Sequence, residues 1–301
     1  METDERIARE RSLDMLAGRD GIIVGAAMDH RDALRTTLAT RGLALDDAAI
    51  GALKARIASA LAPHATALLI DTELGLGPAV TSGALAGGVG VVLPLEAAGY
   101  GDVAKVVRTD LLAGFSPARA RYFGAAAVKL LLPFRVDVAE QAATQEDVVR
   151  SVVADCKAHG LALVLEPIVY RRDGEATAGG ERFGELVVEG ARRLTTLDPG
   201  VLKVQHPGSF ALCEALDDAC GATPWVLLGG GAAPEVVSVQ VGEACRAGAS
   251  GFIVGRSLWE GAISSDPTAA QAALEAEAIP LLQRLAATAR ASGQPWRARR
   301  A

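Results

Sequence analysis

Short runs of aliphatic and β-branched residues recur along the chain, each bounded by glycine, proline or a charged residue. The runs are mostly continuous rather than alternating, which is typical of parallel strands that are covered on both faces. Successive runs start at least 23 residues apart, and this spacing leaves room for a crossover helix between neighbouring strands. The pattern predicts eight strands, at residues 21–29, 67–71, 90–94, 126–133, 161–167, 201–207, 224–231 and 251–256.

Helical patterns fall in the gaps between these runs, and several end on glycine, as helix C-termini commonly do. Eight strand–helix units predict one α/β domain over residues 1–301, a (β/α)8 TIM barrel with its core at about 21–262. An open doubly wound sheet is the alternative, but eight parallel strands without a reversal point favour closure. An Asp-Pro start predicts a further C-terminal helix over residues 266–292, followed by a loose basic tail.

Composition excludes several classes of protein. Half of the residues are hydrophobic and 22% are charged, which indicates a filled globular core rather than a disordered chain. No apolar run approaches the ~20 residues that cross a bilayer, and the N-terminus lacks the apolar stretch of a signal peptide. The four cysteines form no CxxC motif. We therefore expect reduced, buried cysteines and a cytoplasmic protein without a membrane partner.

The charge balance argues for a small-molecule partner. The net charge is −6 and no long basic run occurs, so a nucleic-acid partner is not expected. Only five of the 30 basic residues are lysines. Lys54, Lys105 and Lys157 lie among helical patterns with polar neighbours and are expected to be solvated. Lys129 and Lys203 instead lie inside apolar strands, where an ammonium group needs a partner or a purpose.

Reacting groups of a (β/α)8 barrel come from the C-terminal ends of its strands. There this sequence places the ionisable residues Asp29, Glu96, Lys129, Glu166, Lys203 and Arg256. One interpretation of Lys203 is structural, either an ion pair with Glu166 or a side chain that snorkels at the strand mouth. The other is an amine that attacks a carbonyl to form a Schiff base, with Lys129 as a second ammonium and Glu166 as the proton-transferring acid.

A phosphate site is predicted after the seventh and eighth strands, where such barrels often bind phosphate. Gly230 and Gly231 precede a helix, and Gly255 precedes Arg256. Glycines let backbone N–H groups approach an anion, and an arginine adds a charged contact. A tight turn without a ligand is the alternative for the glycines. The pattern does not fit a dinucleotide site, because the acidic residue that would hold a ribose is missing.

Taken together, the segments AMDHRDAL, LLIDTELG, LEAAGY, AAVKLLLPF, LEPIVY, VLKVQHP and GASGFIVGRSLWEGA resemble the class I tagatose-bisphosphate aldolase family, which includes sulfofructosephosphate aldolases. The resemblance covers residues 21 to about 262. It implies a (β/α)8 barrel, a Schiff base on Lys203, acid/base chemistry by Glu166, a polar centre completed by Lys129 and Asp29, and phosphate binding by Gly255 and Arg256.

Departures from the family pattern surround the expected pocket. His30 and Asp32 stand where Gln and Gly are usual, Gln205 and His206 replace an acid and an aliphatic residue, and Gly229 replaces a serine. Pro133-Phe134 replaces a tyrosine pair. These changes leave the expected chemistry intact and concern the substrate. The candidates for contacts to the aldehyde half are His30, Arg31 and Arg135. Alternatively, His30 and His206 could pack at strand ends without contacting the substrate.

The sequence therefore predicts reversible cleavage of a phosphorylated ketose to dihydroxyacetone phosphate and an aldehyde, with no cofactor. No metal is expected, because the four histidines show no HxH or HExxH spacing. A phosphosugar isomerase or epimerase that uses Glu166 as a base is one alternative. A sugar-phosphate-binding regulatory protein is another. The expected partner is a small phosphorylated or sulfonated sugar, and homo-oligomerisation stays open.

Overall fold

Eight parallel strands close into a barrel in the order β1 to β8 in a computed structural model that describes residues 2–85, 88–97, 103–172, 174–175 and 180–299. β1 pairs with β2 and also with β8, which closes the sheet and confirms the predicted (β/α)8 barrel. The strands are β1 Ile23–Met28, β2 Ala67–Ile70, β3 Gly90–Pro94, β4 Ala127–Pro133, β5 Ala162–Ile168, β6 Val201–Val204, β7 Trp225–Leu228 and β8 Gly251–Val254.

Helices surround the barrel and pack their apolar faces on its outer wall, where the strands are buried on both sides. The helices are α1 Glu2–Leu16, α2 Asp32–Thr40, α3 Asp47–Leu61, α4 Leu76–Thr81, α5 Pro117–Tyr122, α6 Ala139–Ala158, α7 Glu181–Thr195, α8 Phe210–Cys220, α9 Pro234–Ala247, α10 Arg256–Trp259, α11 Pro267–Ala273 and α12 Ile279–Ser292.

The predicted C-terminal helix is continuous but contains one wide turn. A π-helical turn, Leu274–Ala278, joins α11 to α12. Pro280 follows this turn, and because proline has no N–H it cannot donate the next hydrogen bond of a regular helix. No helix within the described ranges has the length and apolar character needed to span a membrane.

Both ends of the described chain cover the N-terminal end of the barrel. Leu13 and Leu16 of α1 are fully buried in a cluster that also contains Trp296. The Trp296 amide donates to the Gly21 carbonyl at 3.1 Å, and Arg299 forms an ion pair with Asp217. The expectation of a loose basic tail is therefore wrong over the described residues, because the indole anchors the segment in the apolar end of the barrel.

Lys54 is a second correction, because it is not solvated. Its side chain is only 1% exposed, and its Nζ bonds to Asp71, the residue directly after β2. Burial lowers the pKa of Lys54, whereas the Asp71 carboxylate favours its charged form. The Lys54 ammonium can be buried among the helices because the Asp71 carboxylate pairs with it there.

Candidate active site

The residues predicted to carry the chemistry meet in a cavity of about 450 Å³ at the C-terminal end of the barrel. This size suits a small ligand. Each residue reaches the cavity from a strand or from the loop that follows it, as the barrel geometry requires. The predicted residues that line the cavity are Asp29, His30, Arg31, Lys129, Glu166, Lys203, Gly230, Gly231, Gly255 and Arg256.

Lys129 lies at the centre of three carboxylates. Its Nζ is 2.9 Å from Asp29 Oδ2, 2.5 Å from Glu96 Oε1 and 3.0 Å from Glu166 Oε2. Burial alone would lower the pKa of Lys129, but the three carboxylates raise it well above the ordinary value. The charged form of Lys129 is therefore favoured, and it holds together the carboxylates of Asp29, Glu96 and Glu166.

Lys203 and Glu166 form the second ion pair of the cavity. Lys203 Nζ lies 2.9 Å from Glu166 Oε1, and both side chains are 4% exposed. β6 positions the lysine, because its four residues are all buried and Lys203 lines the cavity at the end of the barrel. Glu166, on neighbouring β5, therefore contacts both buried ammonium groups, one through each carboxylate oxygen.

Glu96 and Asp29 complete the carboxylate group around Lys129. Glu96 Oε2 also accepts a hydrogen bond from the Leu131 amide at 3.1 Å. Burial raises the pKa of Glu96, and the nearby Asp29 charge adds to that effect. Burial would also raise the pKa of Asp29, but the Lys129 and Lys203 charges lower it below its usual range. The sequence had placed Glu96 at a strand end without a role, and its contact with Lys129 gives it one.

His30 is a neutral side chain of the cavity wall. Burial lowers its pKa to about 4, although the Asp29 charge opposes that change. Its ring packs edge-on against Trp259 with centroids 5.5 Å apart. The His30 Nδ1 atom is buried without a hydrogen-bond partner among the described residues. The structure thus places His30 at the ligand cavity as well as against a core indole.

Backbone conformation and steric space explain why glycine occupies the positions after β7 and β8. Gly230 and Gly231 have φ values of 61° and 75°, in the left-handed region that favours glycine. A Cβ at Gly231 would lie 3.0 Å from the Arg256 guanidinium, and one at Gly255 would lie 2.8 Å from His30. Arg256 Nε is buried without a partner in the described part of the chain. The turn is therefore real, and it leaves a guanidinium N–H free beside the cavity.

Two arginines differ in their access to the cavity. Arg31 lines it, but its Nη1 bonds to Glu73 and its Nη2 donates to the Glu96 carbonyl at 2.8 Å. Arg135 does not line it, so its expected contact with the substrate is wrong. Asp137 and Glu175 each bind the Arg135 guanidinium through both carboxylate oxygens, and its Nη1 also donates to the Tyr170 carbonyl.

Of the two unusual residues that follow β6, one lines the cavity and the other does not. Gln205 lines the cavity, and its Oε1 accepts from the Val169 amide at 2.8 Å. His206 faces the surrounding helices, with its Nε2 2.9 Å from Glu243 and 3.4 Å from Cys213 Sγ. All four cysteines are buried free thiols, as expected.

Sequence reasoning missed Glu73, the partner of Arg31. Glu73 lies in the loop after β2, and its acidic position at a strand end was the signal that could have found it. Within the described ranges, no group of three or more His, Cys, Asp or Glu residues is arranged to hold a metal ion. Residues 98–100 of the LEAAGY segment lie outside the described residues.

Known proteins resemble this chain in sequence and in fold. The chain is 30% identical over 280 residues to tagatose 1,6-diphosphate aldolase of Staphylococcus aureus, covering 84% of this chain and 85% of that protein. A Schiff-base-forming fructose-1,6-bisphosphate aldolase shares the fold at 19% identity and a TM-score of 0.62, covering 93% of this chain and 98% of its own. Fructose-bisphosphate aldolase of Slackia heliotrinireducens shares it at 18% identity and a TM-score of 0.65, covering 96% and 91%.

The family model of the DeoC/LacD family aldolases matches residues 23–261, which span every strand of the barrel and the loops that form the cavity. The match and the 30% identical relative agree in extent and in the class of chemistry, aldol cleavage or formation. The chain therefore belongs to the DeoC/LacD family of aldolases.

Proposed function

We propose that the protein is a class I aldolase that cleaves a phosphorylated ketose reversibly into dihydroxyacetone phosphate and an aldehyde, with Lys203 forming the Schiff base. The observation that carries this proposal is the 2.9 Å contact between Lys203 Nζ and Glu166 Oε1 inside the cavity. A buried amine beside a buried carboxylate provides a nucleophile together with the group that takes its proton.

The surrounding carboxylates keep Lys129 paired during the proton transfer from Lys203 to Glu166. A lysine attacks a carbonyl only as a neutral amine, so Lys203 first gives a proton to Glu166. Lys129 keeps its charge throughout, and it has Asp29 and Glu96 as further partners when Glu166 becomes a neutral acid. The pair can therefore exchange one proton without leaving a buried charge unpaired.

The reaction then needs only proton transfers within the cavity. The Lys203 amine adds to the ketone carbon, and Glu166 gives a proton to the carbinolamine hydroxyl, which leaves as water. Glu166, again a carboxylate, takes the proton of the hydroxyl one carbon beyond the bond to be broken. That carbon–carbon bond breaks and the aldehyde leaves. The electron pair of the broken bond moves toward the iminium and forms an enamine on Lys203. Protonation of the enamine carbon and addition of water release dihydroxyacetone phosphate.

The phosphate of the ketone half is assigned to Arg256 and to the backbone N–H groups of Gly230, Gly231 and Gly255. Arg256 supplies the charge and an unpartnered buried N–H, and the glycines let the anion approach the backbone closely. Such a site binds a phosphate dianion in preference to a neutral hydroxyl group. The name of the Staphylococcus aureus relative, a diphosphate aldolase, supports a phosphosugar substrate.

Borohydride reduction with dihydroxyacetone phosphate tests the proposal. We expect an intact-mass increase for the reduced adduct and peptide mapping to Lys203. Lys203→Arg should abolish both the adduct and turnover, because a guanidinium stays charged, while circular dichroism checks that this variant folds. An adduct on Lys129 would overturn the assignment. Turnover of a ketose phosphate without any adduct would favour the isomerase or epimerase alternative, and binding without turnover would favour a regulatory protein.

A further inference from the structure

The cations that line the cavity differ in their freedom to meet a ligand. They are Arg31, Lys129, Lys203 and Arg256. Carboxylates pair with the first three, Arg31 with Glu73 and both lysines with Glu166. No carboxylate among the described residues forms an ion pair with Arg256. The cavity therefore offers one uncommitted positive charge, on the side of β8.

The opposite wall of the cavity offers no unpaired cation among the described residues. In a closed barrel of eight strands in sequential order, β3 and β4 lie across the mouth from β7 and β8. The lining on the side of β3 to β5 includes the apolar residues Ala97, Val103, Leu131 and Ile168, and the charged residues there pair with one another, namely Lys129 with Glu96 and Glu166. A second phosphate or a sulfonate that reached this wall would lose water without gaining an unpaired cation, which is unfavourable.

The loop after β1 carries more negative than positive charge, because Asp29 and Asp32 both line the cavity beside Arg31. Asp32 lines the cavity with an exposed carboxylate that forms no ion pair in the part of the chain that the structure describes. His30 beside it is neutral above pH 5, because burial lowers its pKa to about 4. Between residues 86 and 179, the residues outside the described ranges contain neither lysine nor arginine.

We infer that the substrate carries a single phosphate, on its ketone half, and that the aldehyde released is uncharged. This inference rests on the proposed aldolase function and narrows its substrate. One anionic group meets Arg256, and a second anion elsewhere in the cavity would meet Arg31, which Glu73 already holds, or the unpaired carboxylate of Asp32. The substrate named for the Staphylococcus aureus relative carries phosphate at both ends, so the inference separates this protein from that relative.

The test is aldol synthesis from dihydroxyacetone phosphate and a panel of three-carbon aldehydes. Glyceraldehyde is the neutral member, and glyceraldehyde 3-phosphate and sulfolactaldehyde are the anionic ones. We expect kcat/KM for glyceraldehyde to exceed both anionic values by about tenfold or more, since like charges disfavour the anions. A larger kcat/KM for either anion overturns the inference. Borohydride trapping of dihydroxyacetone phosphate keeps the proposed function separate, because only its failure contradicts the Schiff base.

Two charge variants make the test specific. Asp32→Asn removes the unpaired carboxylate, and Glu73→Gln leaves Arg31 without its charged partner. Each should raise kcat/KM for glyceraldehyde 3-phosphate by about fivefold or more relative to glyceraldehyde. The matched controls are Asp218→Asn, an exposed residue of α8, and Asp47→Asn, the partner of Arg35. An equal gain in the controls, or none in the two variants, would contradict the role of these carboxylates.

Discussion

Lys129 and Lys203 share one carboxylate, that of Glu166, which contacts one ammonium through each of its oxygens at 3.0 and 2.9 Å. The two lysines are nevertheless unequal. Lys129 has two further carboxylate partners, whereas Glu166 is the only carboxylate that pairs with Lys203 among the described residues. Transfer of one proton to Glu166 therefore leaves Lys129 charged and Lys203 neutral. Because both ammonium groups depend on this carboxylate, replacement of Glu166 tests the proposed proton transfer directly.

Glu166→Gln should slow turnover by about 10²–10⁴-fold, the range expected when a general acid or base is lost. Substrate binding should persist, because the amide keeps the shape of the side chain. Glu96→Gln is the matched control, since Glu96 also contacts Lys129 but not Lys203, and it should cost less than tenfold in kcat. Steady-state kinetics on both variants check this prediction, and equal losses would contradict it.

Arg256→Ala should weaken phosphate-bearing ligands by roughly 10–150-fold, because a hydrogen bond to a charged group contributes about 1.5–3 kcal/mol. Unphosphorylated dihydroxyacetone should bind equally to both proteins. Arg284→Ala is the control, because Arg284 lines a neighbouring cavity with Arg256 but not the catalytic one. Dissociation constants for both ligands decide the matter, and loss of affinity for dihydroxyacetone as well would indicate general damage.

Acid should destabilise the protein in two stages. The pKa of His30 is about 4 in the native state and 6.5 when unfolded, so the unfolded state binds more protons between these values. The free energy of unfolding should therefore fall by about 3 kcal/mol as pH drops from 6.5 to 4. Asp29, whose pKa is also lowered, extends the loss to lower pH.

Urea denaturation of the wild type and His30→Gln across pH 4–7 measures the first stage. The variant should show a shallower pH dependence of unfolding free energy in this window. A residual slope is expected, because burial also lowers the pKa of His206. Superimposable slopes for the two proteins would show that His30 titrates normally.

The buried pair of Lys54 and Asp71 should be important for stability. Lys54→Met should reduce the free energy of unfolding by about 3–5 kcal/mol, because it leaves a buried carboxylate without its partner. Asp71→Asn added to this variant should recover part of the loss, since no charge then stays buried. The exposed pair of Arg35 and Asp47 is the control, and Arg35→Ala should cost less than about 1 kcal/mol. Equal destabilisation by both single variants would contradict the argument.

The barrel and the cavity lysines could be predicted because their signals are local. A run such as VLKV predicts a buried strand, and a lysine buried within it needs a partner in any fold. Strand ends then meet at one edge of the barrel by topology alone. These rules are enough to bring Lys129, Glu166 and Lys203 into one cavity.

The pairings between distant residues could not be read in this way. Lys54 has polar neighbours in a helical pattern, so only the position of Asp71 after β2 reveals its burial. Arg135 is neutralised partly by Glu175, 40 residues away in sequence. Its other partner, Asp137, is only two residues away, and a closer look at local charge would have found it. The basic tail is ordered by one indole, Trp296, and an aromatic residue among arginines was the available signal.

Closure of the barrel has a consequence for synthesis on the ribosome. β1 is hydrogen-bonded on one edge to β8, which begins at Gly251, and Gly21 receives the amide of Trp296. While the chain is being translated, the strands already made must wait with an open sheet edge until β8 emerges. Such edges pair readily with other chains. The protein should therefore benefit from chaperones during translation, even though the finished barrel exposes no free edge.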